Sequence, residues 1–371
     1  MSTSDTPSPQ LNGTGVSSVG DAGGTRGGGP GSGGLPGIIL AAPAHQSIAP
    51  SSVVILILIV VVLAVGPPLI GGFATSGIAG YLIFGLLALS VGLISGYGRL
   101  FNLGVGANFG VSAYTVAILS QNGVTNPFVL LGSALLAGLI VGLLFAFYAL
   151  VSSGTEYLML TFLTTLAFAT IPSAIPGPTG GDNGLAVKGG TAVSFGLNPL
   201  EGPGFYWFVL ATVLGISLVS WYVLHSQTGM AVQAIGRNPV RAAAMGYNVS
   251  GYRVALTLYA GMVASIGGWL YSLQRSFVFE RLLGLQNSTD GLVYALIGGV
   301  NTIIGPLIGA GVLRYVTESV SRGVTIFGFK IDNAGDIIIG LSLMLVVYLL
   351  PEGLLGRFQT LRSVVKKGGA R

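Results

Sequence analysis

The chain has 371 residues, 51% of them hydrophobic and only 7% charged, and a net charge of +5. A soluble domain carries about a quarter charged residues, so the composition excludes a soluble globular protein and defines an integral membrane one. Cysteine is absent and the histidines are only His45 and His225, which excludes disulfides and cysteine-based metal sites and argues against a histidine metal centre.

Residues 1–50 are rich in Gly, Ser, Pro and Thr and poor in large apolar side chains. Such a segment cannot bury enough surface to fold, so a disordered tail is expected. It has no basic stretch followed by an apolar core, so it does not read as a signal peptide. Residues 51–351 are the predicted transmembrane domain, because apolar runs near the ~20-residue spanning length recur there. Span one is placed at Ser52–Ile70 and span two at Gly77–Tyr97. Span three, Leu100–Ser120, carries Asn102, Asn108, Gly104, Gly106 and Gly110 in its first half. A helix with that content is expected to be broken or buried in the bundle centre, since backbone facing lipid must be satisfied internally. Span four is Pro127–Val151. Span five, Tyr157–Ile175, holds Thr161, Thr164, Thr165 and Thr170; threonine hydroxyls either bond back to their own helix or line a polar path. About 30 residues of turn chemistry follow, up to span six at Phe205–Leu224.

The polar stretch 226–253, SQTGMAVQAIGRNPVRAAAMGYNVSGYR, stands between long apolar segments. It contains Arg237, Arg241 and Arg253 and no acid. Ala231, Ala234, Ile235, Ala242 and Met245 are spaced for two short helices. A turn is predicted at Arg237-Asn238-Pro239, because a residue before proline avoids the α region. Gly246 and Asn248 suit a helix C-terminus and exit.

Span seven is Val254–Leu273. Residues 291–321 are apolar but interrupted at Gly298-Gly299 and at Gly305-Pro306, which fits two short segments, the first partly re-entrant. Asp290 is read as a helix N-cap, and Arg314 and Glu318 as an i,i+4 pair. A final span covers Ile337–Leu350, and residues 352–371 form a basic tail. The fold class is therefore an all-α integral membrane bundle of about 8–10 transmembrane helices, with broken or re-entrant segments. Six crossings before the 226–253 stretch and four after it put both termini and that stretch on one side. The bias of Lys and Arg makes that side cytoplasmic.

No GxxxxGK[ST], HExxH, GxSxG or CxxC occurs, so the chain carries no P-loop for ATP hydrolysis and none of these enzyme signatures. Ionisable residues within spans are few, although ion-coupled carriers usually place some there.

Four ordered blocks carry a resemblance. GYGRLFNLGVGANFGVSAYTVAIL (Gly96–Leu119) is similar to GYxGxLSLGQAAFxGIGAY. YLMLTFLTTLAFATI with TGGDNGL is similar to YFAMxTLAFAxI and TGGSDGL. AIGRNPVRAAAMGYNVSGYRVALTLYAGMVASIGGWLYS is similar to AIRExxxAAxAxGINVxRYKLxAFxxSAxxAGxAGALYA, and LIGGVNTIIGPLIGA to LGGxGTxxGPxxGA. The chain thus resembles permease subunits of bacterial ABC importers for branched-chain amino acids, the LivM type in particular. It departs from them at Gly236-Arg237-Asn238-Pro239, which lacks the family's acid, and at Val105 and Asn108, where glutamine and an aromatic are usual.

The resemblance implies a transporter subunit, not an enzyme, in the bacterial inner membrane. It would move branched-chain or similar amino acids, with urea, short amides or sugars as alternative cargo on the same architecture. An ion-coupled secondary carrier is the reading from another class. The implied partners are cytoplasmic ATPase subunits, a second LivH-like permease and an extracytoplasmic substrate-binding protein, with no nucleic acid. No cofactor is expected on this chain; ATP and Mg belong to the ATPase. Arg237, Asn238, Pro239, Arg241, Ala243, Met245 and Gly246 fall in the ATPase-coupling element, Ala242 among their neighbours at the partner's groove. The expected polar, uncharged path is built from Asn102, Asn108, Thr161, Thr164, Thr165 and Asn301. Gly104, Gly110, Gly298, Gly299, Gly305 and Pro306 are read as helix-break and packing positions.

Overall fold

The computed structural model describes residues 72–187, 204–275 and 277–321, together with 324–326, 329–331 and 340. All of them fall in one unit, Ile55–Arg371. The predicted spans Ser52–Ile70 and Ile337–Leu350 and both tails lie outside the described residues.

Helix α1, Gly72–Gly92, has no acid in its first turn and no base in its last. Its Ile83, Leu86, Leu87, Ala88, Leu89 and Val91 are at most 1% exposed, although together they point around the whole helix. A helix apolar on every side belongs at a bundle centre. It runs on into a π-helical turn, Leu93–Tyr97. Then follow α2 (Val105–Gln121), α3 (Pro127–Val151), α4 (Thr155–Ala174), α5 (Gly204–His225), α6 (Gln227–Arg237), α7 (Pro239–Ala244), α8 (Val249–Gln274), α9 (Leu285–Gly298) and α10 (Ile304–Ser321). The start of α3 is fixed by Asn126, whose side chain accepts from the Phe128 N–H, with Pro127 at the first helical position, where its missing N–H costs nothing.

Helix α8 lies along α3, α2 and α1, and α1 also contacts α10, α9 and α5. The approach is close because small residues line the seams. A Cβ on Gly268 of α8 would stand 2.1 Å from the Phe109 carbonyl oxygen of α2. Without a hydrophobic drive between helices in lipid, such backbone proximity is what holds them together. Phe84, Phe109 and Tyr271 fill the α1–α2–α8 junction with ring centroids 5.7–5.8 Å apart. Helix α4 stands apart from this centre: 22% of its apolar window is buried, against 78% for Thr75–Tyr97. Among the described residues, five helices are long and apolar enough to cross a membrane. The few strands are short. Strand β1 (Leu185–Ala186) pairs antiparallel with β2 (Phe277–Val278), and β3 (Val324–Ile326) with β4 (Phe329–Ile331).

The fold is the expected all-α polytopic bundle with broken segments, with differences at particular residues. Span three does not begin at Leu100: residues 99–104 are not helical and α2 starts at Val105. Helix α8 begins at Val249, so the last five residues of the polar stretch 226–253, Arg253 included, are helical. Helix α9 begins at Leu285 with Gly284 as its N-cap, so Asp290 lies inside the helix and is not a cap. Arg314 reaches α1, its guanidinium carbon 3.7 Å from the Phe84 ring centroid. Glu318 also reaches α1, accepting from the Tyr81 hydroxyl at 2.6 Å.

Candidate coupling element and helix break

The polar stretch is a capped pair of helices. The Ser226 side chain accepts from the Gly229 N–H and opens α6. Ala231 and Ile235 of α6 are 3% exposed and form its inner face. Arg237 lies in its last turn, where a cation suits the partial negative charge of the helix end. Asn238 closes α6 and opens α7: its backbone is extended and its side chain accepts from the Arg241 N–H at 2.9 Å. Pro239 takes the first position of α7. At the far end Gly246 adopts φ 88°, a left-handed geometry that glycine accepts without cost. The Tyr247 N–H returns to the Ala242 carbonyl at 3.2 Å. Asn248 then caps α8 by accepting from Gly251 at 3.0 Å.

These caps hold a six-residue helix that has little intrinsic stability. Its outer face carries Val240, 79% exposed, and Met245, 61% exposed, with Arg237, Arg241 and Ala243 exposed around them. Ala242, read from the sequence as facing a partner's groove, is 1% exposed and faces inward. Two residues of α-helix rotate by about 200°, which sets the inner Ala242 opposite Val240.

The second polar constellation surrounds the non-helical chain at 99–104. The Asn102 Nδ2 donates to the Tyr157 hydroxyl at 2.9 Å, and its Oδ1 accepts from the Gly104 N–H at 2.6 Å. The Thr161 Oγ1 accepts from the Leu103 N–H at 3.3 Å while donating to the Leu158 carbonyl of its own helix, and the Thr165 hydroxyl shares its hydrogen between the Leu103 carbonyl at 2.8 Å and the Thr161 carbonyl at 2.7 Å. Two threonines one turn apart on α4 thus bind both backbone polar groups of one residue in the break. Asn102, Thr161 and Thr165 are at most 3% exposed.

The other residues assigned to a path lie elsewhere. Asn108, 1% exposed, sits in α2 against Gly261 of α8, and its Oδ1 finds no hydrogen-bond partner among the described residues. Thr164, half-buried, donates to the Tyr148 hydroxyl at 3.1 Å. Asn301, exposed, lies in the turn between α9 and α10, and its carbonyl accepts from the Tyr97 hydroxyl.

The break and packing glycines fall at close contacts. Gly104 is the N-cap of α2 beneath the Phe145 ring, and Gly110 meets the backbone of Leu282 and Leu283. Gly298 faces Gly305 across the α9–α10 turn, Gly299 closes α9 with φ 106°, and Pro306 meets Gly92 of α1. Sequence reasoning missed the π-helical turn before Gly98 and its contact with the α9–α10 turn; the SGYG tetrapeptide is the only local sign of it. Among the described residues no group of three or more His, Cys, Asp or Glu is placed to hold a metal ion.

An apolar multi-helix bundle interrupted by a capped, basic, largely exposed helix pair defines a polytopic membrane protein. Residues 73–347 match the family described as branched-chain amino acid transport system, permease component, and the chain belongs to that family. It is similar to the high-affinity branched-chain amino acid transport system permease protein LivH of Salmonella typhimurium, 28% identical over 152 residues, 41% of this chain and 46% of that protein. It is also similar to the ribose import permease protein RbsC of Escherichia coli K12, 25% identical over 134 residues, 32% of this chain and 41% of that protein. A third relative, the nucleoside ABC transporter permease protein NupC of Lactococcus lactis, is 35% identical over 71 residues, 19% of this chain and 20% of that protein. The matched stretches thus span less than half the length of these relatives.

Proposed function

We propose that this chain is the membrane permease subunit of an ATP-driven ABC importer for branched-chain or similar amino acids. The observation that carries the reading is the α6–α7 element, a capped pair of helices on which Val240 and Met245 are exposed together with Arg237 and Arg241. Exposed apolar side chains accompanied by two cations suit a groove with an apolar floor and an acidic rim. A cytoplasmic ATPase subunit offers such a groove to an importer. ATP and Mg are bound and used there, and this chain supplies the surface that receives the resulting motion. A second, LivH-like permease and an extracytoplasmic binding protein complete the assembly, in a bacterial inner membrane with both termini on the cytoplasmic side.

The path is polar and uncharged, which allows brief contacts without trapping the cargo. Thr164 and Asn301, which reach the surface of the protomer, touch the cargo, while Asn102, Thr161 and Thr165 brace the break behind it. The relatives named for ribose and nucleosides make those compounds the competing cargo classes.

The test is co-purification of the detergent-solubilised chain, unaltered and with Arg237→Glu and Arg241→Glu together. An ATPase that comes down with the unaltered chain and is lost with the variant supports the reading. Equal recovery of the ATPase with both forms removes the arginines from the interface, and its absence from both refutes the subunit assignment. Competition of leucine uptake by valine, ribose or uridine then separates the cargo classes.

A further inference from the structure

We propose that Tyr97 passes movement of the α6–α7 element to the turn between α9 and α10, and that this turn is the gate nearest the coupling element. The inference rests on the permease reading above.

The chain at the end of α1 is unusual in three ways. Leu93–Tyr97 is a π-helical turn, a form that needs packing support and recurs at functional sites. The Gly98 N–H returns to the Leu93 carbonyl at 3.3 Å and the Leu100 N–H to Ile94 at 3.2 Å. Arg99 between them has φ 50°, a conformation costing of order 1 kcal/mol for a non-glycine residue. The segment therefore folds back on itself and is held there by its surroundings.

Backbone lies against it on two sides, and the Leu256 side chain of α8 packs at Gly98. On one side lies α6, whose Gly236 leaves no room for a side chain: a Cβ there would stand 2.6 Å from the Tyr97 carbonyl oxygen and 3.2 Å from Gly98. On the other side lies the α9–α10 turn. A Cβ on Gly96 would stand 1.9 Å from the Val300 carbonyl oxygen, and the Tyr97 hydroxyl donates to the Asn301 carbonyl at 3.1 Å. The turn is itself braced, since the Thr302 hydroxyl donates to the Gly299 carbonyl at 3.0 Å and accepts from the Gly305 N–H at 3.1 Å.

A displacement of α6 has no flexible side chain at Gly236 to absorb it. Close-packed contacts of this kind transmit small shifts as rigid-body motion. The push from Gly236 reaches Tyr97 and Gly98 directly. It leaves through Gly96 and the Tyr97 hydroxyl into Val300 and Asn301, the part of the α9–α10 hairpin farthest from its two open ends. Tyr97 is therefore a positioning residue, acting on the gate through the turn and not through the cargo.

The test is Tyr97→Phe in the complete importer in proteoliposomes, measuring cargo uptake, ATP hydrolysed per cargo, bound ATPase and thermal melting. Phenylalanine keeps the ring and loses one hydrogen bond, so uptake is expected to fall about fivefold, with ATP hydrolysed per cargo rising by a similar factor. Bound ATPase and melting stay as in the unaltered complex. Unchanged uptake and an unchanged ratio would overturn the proposal. So would a loss of uptake accompanied by lost ATPase or a lowered melting point, which marks Tyr97 as merely structural. Gly96→Ala is the second variant: its Cβ displaces Val300 and is expected to raise ATP-independent leak of preloaded cargo at least threefold, whereas a tight vesicle counts against the gate. If the unaltered chain binds no ATPase, the permease reading has failed, and that outcome is distinct from the failure of the relay.

Discussion

The most informative substitution is Asn102→Ala, because it separates a residue that lines a path from one that braces a break. Asn102 is 3% exposed and its side chain makes two bonds, donating to Tyr157 and accepting from the Gly104 N–H. Alanine leaves the Gly104 N–H at the mouth of α2 with no acceptor, and an orphaned buried donor costs about 1–3 kcal/mol. It also removes the bond to Tyr157, a side-chain pair worth about 1 kcal/mol or somewhat less within a bilayer. The sum is a loss of about 2–4 kcal/mol. The assay is thermal unfolding of the solubilised chain, read by size-exclusion fluorescence, for Asn102→Ala, Tyr157→Phe and the double variant. The double variant is expected to lose about 0.5–1 kcal/mol less than the sum of the singles, as a shared bond requires. A melting point within error of the unaltered chain for Asn102→Ala, or full additivity in the cycle, would refute the bracing role. If stability held while uptake collapsed, Asn102 would belong to the path instead.

Three further substitutions probe the packing. Gly268→Ala puts a Cβ 2.1 Å from the Phe109 carbonyl, where backbone must move; a loss of about 3 kcal/mol is expected, and near-normal folded yield would contradict the helix approach described. Arg314→Met removes the cation over the Phe84 ring and is expected to cost about 1–2 kcal/mol, read as a lowered melting point; an unchanged one argues against that contact. Asn108→Leu replaces a buried amide whose Oδ1 has no partner with an apolar group of similar size. Stability is expected to change by less than about 1 kcal/mol and uptake by less than about twofold, and a tenfold drop in uptake would place Asn108 in the path.

Much of this was legible because local chemistry decided it. Pro127, Asn238 with Pro239 and Gly246 each mark a helix end where the structure has one, while Asn248, read as the exit of one helix, is the N-cap of the next. Those signals act within a few residues and need no partner. The start of α2 was misplaced by five residues because LFNLG reads as an apolar run. What keeps it extended are Thr161 and Thr165, about 60 positions away on α4. Asp290 precedes a glycine and looks like a cap, but the helix continues back to Leu285 because Gly284 supplies the extended N-cap geometry. The inward turn of Ala242 depends on where α7 lies relative to the bundle, which no local pattern encodes. The contact of Gly236 with Tyr97 and Gly98 brings together residues more than a hundred positions apart, and glycine in a helix gives no sign of which backbone it makes room for.

The central claim is that this chain moves cargo at the expense of ATP hydrolysed by a partner. The most direct measurement is leucine uptake into proteoliposomes holding the purified complex and supplied with binding protein. ATP is present, omitted or replaced by a non-hydrolysable analogue, each with and without ionophores. The account predicts uptake that stops without hydrolysable ATP and survives collapse of every ion gradient. Uptake that persists without ATP or ATPase and vanishes when a proton or sodium gradient is dissipated would contradict it and make the protein a secondary carrier.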